Sequence, residues 1–251
     1  MKRVLALALT AAVVVGWGCG LNSYEKRLDK TLDDMRFIIR LDENLIPAPT
    51  DSKFKDFPMY LRPPKGMALS TSFVLAADVP EGQFDLTASF LGDGAEAGRN
   101  LHVLGRRKAA KKTPPKAGAP PQAEPVAQHP FNEEVIALLR GAYGESEALA
   151  TPQYQTEKKR HNEFRRLIFT ASNGNIIRVY LYKKEPYEAA LVWDIPADRD
   201  KDAAATNARD LTLQSFAVGR RAESYFSGAL TEGASSSGGE ATGGSEGATP
   251  F

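Results

Sequence analysis

A single cysteine, Cys19, in 251 residues rules out an intramolecular disulfide and any cysteine-built zinc or iron–sulfur centre. Histidine is almost as scarce. His102, His129 and His161 stand far apart, and none has a second His, Cys, Asp or Glu at metal-site or triad spacing. No Gly-rich phosphate loop follows a strand pattern, no G-x-S-x-G elbow is present, and Ser70, Ser72 and Ser89 have no evident base. The run "DRDKDAAATN" alternates Asp198, Asp200 and Asp202 but lacks the Gly and Glu of a calcium loop. No catalytic residue, metal or cofactor is therefore assigned. A formal net charge of +1 supplies no global field for polyanions, so nucleic acid is not an expected partner. What remains is a chain with 42% hydrophobic residues, enough to bury a core that packing alone must hold.

The first residues have a distinct pattern. Lys2 and Arg3 precede an apolar run from Val4 to Trp17 broken only by Thr10, which reads as a secretory signal over 1–18. The run closes on "GWGCG", with small residues Gly16 and Gly18 around Trp17, then Cys19 and Gly20. This resembles a bacterial lipoprotein processing site, imperfectly, since Leu is usual at the place of Gly16 and a small residue at that of Trp17. The resemblance implies cleavage before Cys19 and acylation of that residue. It also implies an exported protein anchored in the cell envelope, at the outer membrane because no Asp follows the cysteine. The alternative is an uncleaved anchor from Val4 to Leu21, at the short end of what spans a bilayer.

Beyond the anchor, residues 19–46 hold the attachment cysteine and an amphipathic helix. Tyr24, Leu28, Leu32 (or Thr31), Met35 and Ile39 recur at helical spacing, and Asn22 with Glu25 forms a capping pair. The polar side mixes signs, with Glu25, Lys26, Asp29, Lys30, Asp33 and Arg36, which suits packing on the domain or a partner better than a lipid surface. Residues 47–104 form the first part of a domain: a proline-rich crossing, then strands over 68–76, 84–91 and 101–104. Residues 105–128 carry six Lys or Arg, one Glu, five Pro and no aromatic, so they are expected to be a disordered linker. Residues 129–227 complete the domain, with a helix from Asn132 to Tyr143, a hairpin, a strand over 188–195, and helices over 207–217 and 220–226. A Gly/Ser-rich tail, 228–251, has almost nothing to pack. The fold class expected is α+β, a single domain with an antiparallel sheet and helices packed on one face.

Asn173-Gly174, between two β-rich runs, is the signature of a two-residue type I′ hairpin. That register pairs Ile168 with Val179 and Thr170 with Ile177 on one face. The other face then carries Arg165, Phe169, Arg178, Tyr180 and Tyr182 together, a candidate stacking and anion-binding platform. The linker, with Lys158, Lys159, Arg160, Arg165 and Arg166, offers a basic surface to an anionic envelope polymer or headgroups. The function these features suggest is a non-catalytic envelope lipoprotein that binds or scaffolds a protein or envelope component. The alternatives are an envelope hydrolase or transferase with a site assembled from scattered residues, and a small-ligand-binding module.

Intact-mass measurement of the membrane-fraction protein tests the anchor. The lipoprotein reading expects a chain starting at Cys19 and heavier by glyceryl and acyl groups, and an unprocessed Cys19→Ser variant. An unmodified full-length mass in both contradicts it.

Overall fold

A computed structural model describes residues 24–76, 79–80, 82–108 and 129–228. The signal, Cys19, most of the basic linker and nearly all of the tail lie outside the described residues. One unit runs from Arg40 to Leu230 and holds every strand among the described residues; residues 24–39 belong to a second unit.

Helix α1 is described over 24–44 and has no Gly or Pro within it; Pro47 follows soon after its end. A short helix α2 (Ser52–Asp56) and strand β1 (Met59–Tyr60) follow. The sheet is built from two meanders. The first comprises β2 (Met67–Leu69), β3 (Leu86–Gly92) and β4 (Asn100–Arg107). After helices α3 (Phe131–Tyr143) and α4 (Glu147–Ala150) comes the second: β5 (Gln155–Lys159), β6 (Asn162–Thr170), β7 (Ile176–Lys184) and β8 (Tyr187–Ile195). Helix α5 (Ala203–Ser215), strand β9 (Ala217–Val218) and helix α6 (Arg220–Phe226) close the chain.

The two meanders join where β4 pairs antiparallel with β8, from Asn100 opposite Asp194 to Arg107 opposite Tyr187. The result is one seven-stranded antiparallel sheet, ordered β2-β3-β4-β8-β7-β6-β5, so the domain is α+β and continuous across the segment 109–128. A long insertion there is tolerable because loop-closure entropy grows only logarithmically with length. Strand β4 is longer than its sequence pattern suggests: Gly105, Arg106 and Arg107 belong to it rather than to the linker.

Helices cover both faces of the sheet, not one. On the first, Phe90, Leu101, Leu191, Trp193, Tyr180 and Phe164 pack with Phe54 and Phe57 and with Leu213 and Phe216 of α5 and its end. On the second, Leu104, Val192, Val179 and Leu167 pack with Phe131, Val135, Leu139 and Tyr143 of α3 and Leu149 of α4. The run Ala189-Ala190-Leu191-Val192-Trp193, without polar interruption, is what a strand buried on both faces requires.

Two element boundaries shift and one strand is unexpected, each for a local reason. The expected strand over 68–76 ends at Leu69, because Ser70 Oγ turns back to accept the Ser72 N–H. Strand β5 escapes the alternation pattern because it is a polar edge strand, rich in the charges that protect edges. Helix α5 begins at Ala203, earlier than its apolar pattern, because Asp202 Oδ1 caps the Ala204 and Ala205 N–H groups.

The hairpin departs from expectation most consequentially. Its turn has three residues, Ser172, Asn173 and Gly174: the Gly174 N–H donates to Ala171 O and the Ala171 N–H to Asn175 O. Gly174 lies at φ 84° while Asn173 does not have positive φ, which excludes a type I′ turn and matches a type I turn closed by a glycine bulge. Leu167 therefore faces Val179 and Phe169 faces Ile177, one residue away from the expected register. Such a slip reverses the face of every partner.

Gly105 offers a test of the first core layer. A β-carbon there would stand 2.5 Å from the Phe57 ring, which is buried. Gly105→Ala is expected to cost about 1–3 kcal/mol in urea unfolding, with partial recovery when Phe57→Leu is added. An unchanged midpoint would show that Phe57 does not cover this strand.

Candidate binding site

The shifted register separates the residues of the expected platform. Arg165 and Phe169 point to the face under α3, whereas Arg178, Tyr180 and Tyr182 belong to the face under α5. Phe169 packs edge-on to Tyr143 with ring centroids 6.2 Å apart. Tyr180 and Tyr182 both pack against Phe164, at 6.0 and 5.6 Å, and Tyr182 meets Phe216 at 5.1 Å. Arg178 is held by Asp200 through two hydrogen bonds of 2.8 and 2.7 Å. This bidentate bond raises the Arg178 pKa and lowers that of Asp200. The five residues form no common stacking surface, and three of them are core.

One concave site does retain two of them. A groove of about 260 Å³ opens between the start of α3 and the ends of β6, β7 and β8, lined by Phe131, Asn132, Glu163, Arg165, Lys183 and Glu188, with Tyr182 also in its wall. Arg165 lies across the Tyr154 ring at 4.1 Å, so its planar cation is already stacked. The groove's charges alternate in sign, and Lys183 stands 3.7 Å from Glu188. It is smaller than common small-molecule sites and offers no single-sign surface for an anion.

Beside it, Arg106 is an internal staple. Its guanidinium meets Glu134 of α3 at 2.8 Å and Glu188 of β8 at 2.9 Å, lies over the Phe131 ring at 5.2 Å, and donates to His129 O at 3.1 Å. The residues that flank the segment 109–128 are thus tied together.

Of the candidate bases, His102 is buried and His161 is exposed. His102 is 2% exposed on β4, with Nδ1 2.9 Å from Ser89 Oγ, which also accepts the Val74 N–H at 3.0 Å. A hydroxyl has one proton and two lone pairs, so both neighbours are served by the neutral ring. Among the described residues no carboxylate bonds the ring, and Ser89 is itself fully buried. Asp194, buried nearby in the sheet, accepts from Asn175 Nδ2 at 2.7 Å and Tyr143 OH at 3.2 Å; burial raises its pKa and that of Tyr143. His161 lies exposed in the β5–β6 turn, 3.2 Å from Arg160 Nε. Among the described residues no group of three His, Cys, Asp or Glu side chains is placed to hold a metal ion.

Sequence reasoning named the α1 stripe but not its setting. Tyr24, Leu28, Leu32, Met35 and Ile39 are 40% to 64% exposed, the most continuous apolar exposure among the described residues. Leu41, fully buried, lies about 140° around the helix from the stripe's centre at 100° per residue. The helix thus has two apolar sides, and the sequence pattern follows the uncovered one. No helix among the described residues is long and apolar enough to cross a membrane.

No family model and no curated protein matches the chain. Among solved structures, the solution structure of cyanobacterial PsbP (CyanoP) from Synechocystis sp. PCC 6803 is similar with a TM-score of 0.40 and 12% identity, covering 70% of this chain and 93% of that one.

His102 makes the fold acid-sensitive in a defined window. Burial pushes its pKa down from 6.5 to about 4. Between those values the unfolded chain takes up a proton that the folded ring refuses, so this contribution is present above pH 6.5 and lost as pH falls toward 4. The full shift corresponds to about 3 kcal/mol. Asp194, raised by burial, acts in the opposite sense, so comparison with a variant isolates the histidine. Urea unfolding of wild type and His102→Gln at pH 7 and pH 4.5 should show a smaller acid loss in the variant. An equal loss would assign the sensitivity to other groups.

Proposed function

We propose that the protein is a non-catalytic binding module of the cell envelope, tethered through an acylated Cys19, that docks the apolar stripe of α1 into a groove on another envelope protein. The observation that carries this reading is the exposure of Tyr24, Leu28, Leu32, Met35 and Ile39 along about 22 Å of one helix side. A contiguous apolar strip of this kind is the usual ligand in helix-in-groove recognition, read as anchors three and four residues apart. The charges beside it favour protein over lipid. Residues 25–40 carry five Lys or Arg against four Asp or Glu, whereas helices that lie on anionic membranes are strongly basic on the polar side. The buried, carboxylate-free His102 supports binding rather than hydrolysis.

The stripe begins five residues after Cys19. Tethering both partners to one membrane raises their effective concentration, so a short helical contact suffices without high intrinsic affinity.

The experiment compares the full chain with a Leu28→Glu/Leu32→Glu variant after mild detergent extraction from membranes, reading complex mass and thermal unfolding together. Wild type is expected in a complex heavier than two chains. The variant is expected as a single chain with unchanged unfolding, since both positions are exposed. A wild-type complex of two identical chains would replace the partner with a second copy. A monomeric wild type, or a variant that keeps its complex, would overturn the proposal.

A further inference from the structure

Between the first half of α5 and strand β8 lies a small cavity of about 10 Å³, lined among others by Glu96, Arg99, Trp193, Arg199 and Arg209. Three of these residues carry a buried N–H without a hydrogen-bond partner: Arg99 Nε, Trp193 Nε1 and Arg209 Nε. All three are at least nine-tenths buried, at 3%, 3% and 6% exposure. Unpaired donors are uncommon in folded interiors, and three on residues around one cavity call for an acceptor.

The two arginines differ in how they are satisfied. Arg99 meets Glu96 and Asp202 at 2.9 Å each and donates to Arg199 O at 3.1 Å. Arg209 has no carboxylate within 4 Å among the described residues, and its hydrogen bond is a long one, 3.4 Å to Thr206 Oγ1. Asp200 feels the Arg209 charge, yet both its oxygens are committed to Arg178. Arginine does not neutralise by losing its proton, so a buried guanidinium without an ion-pair partner is costly.

We infer that this cavity is a binding site for a monatomic anion, chloride, held by Arg209, Trp193 and Arg99. The donor-rich wall selects the ion. Three guanidinium groups and one carboxylate line the space, and that carboxylate, Glu96, already binds Arg99. A water molecule must place two protons as well as accept, whereas a halide only accepts. The space, about 10 Å³, is too small for phosphate, sulfate or an organic carboxylate, so a monatomic ion is the largest anion to be considered. An ion here would link α5 to β8 and supply the charge that Arg209 otherwise lacks.

The test uses the full chain in detergent at constant ionic strength, with sodium gluconate replaced stepwise by sodium chloride or bromide, so that general screening is held fixed. The unfolding temperature is expected to rise by a few degrees and to saturate with either halide. In Arg209→Gln it should no longer respond to halide. Crystals of the wild-type chain grown in bromide give a second measurement that is independent of the variant's packing, an anomalous peak beside Arg209 and Trp193. Equal unfolding temperatures in chloride and gluconate, or crystals with no bromide at this position, would overturn the site in favour of bound water. A halide response that survives in Arg209→Gln would place the ion elsewhere.

Discussion

The turn closed by the Ala171 and Asn175 backbone groups determines what the rest of the sheet can do. With Gly174 in the left-handed region the loop holds three residues, and β6 and β7 pair one position away from the register of a two-residue turn. Because side chains alternate along a strand, that single residue decides which set lies under α3 and which under α5. It sends Tyr180 and Tyr182 into the aromatic cluster with Phe164 and Phe216, and it sets Arg178 opposite Asp200. The same choice leaves Arg165 at the rim of the α3 groove, stacked on Tyr154.

Once the register is set, buried arginines connect the layers. Arg106 joins β4 to α3 and β8, Arg178 joins β7 to the segment before α5, and Arg99 joins the start of β4 to the cap residue of α5. Each is paired with carboxylates at hydrogen-bond distance, the condition under which a buried charge is tolerated. Such pairs add little net stability over apolar packing, but breaking one leaves an uncompensated charge, so they favour one arrangement of helices on the sheet. Arg209 stands apart because its burial is comparable, yet among the described residues no carboxylate stands at ion-pair distance from it, the Asp200 oxygens being held by Arg178.

The functional reading follows from where polar chemistry is closed off and where apolar surface is left open. His102, Ser89 and Asp194 are spent on internal hydrogen bonds, and the groove beside α3 is small and balanced in charge. The apolar side of α1, by contrast, is exposed among the described residues. An exposed helical stripe, on a chain with a packed sheet domain, is the observation on which the proposed binding role rests.

Much of the fold was legible because it rests on local rules. Pro47 ends the reach of α1, the alternation of Leu86, Ala88 and Phe90 marks β3, and Asn173-Gly174 marks a turn. The continuous apolar run of β8 even carried the sign of burial on both faces, although a short apolar run alone does not distinguish the layers that cover it. Composition and the N-terminal pattern also set the expectation of an envelope anchor and of a domain without cysteine or metal chemistry. Tertiary structure decided the rest, because those features depend on residues distant in the chain. The pairing of β4 with β8 makes one sheet of two meanders, and the face of Arg178 depends on a bulge that propensity does not resolve. The meeting of Arg99, Trp193 and Arg209 around one cavity requires three elements to pack before any of them becomes neighbours. Local sequence specifies conformation over a few residues, but burial and ion pairing are properties of the assembled layers.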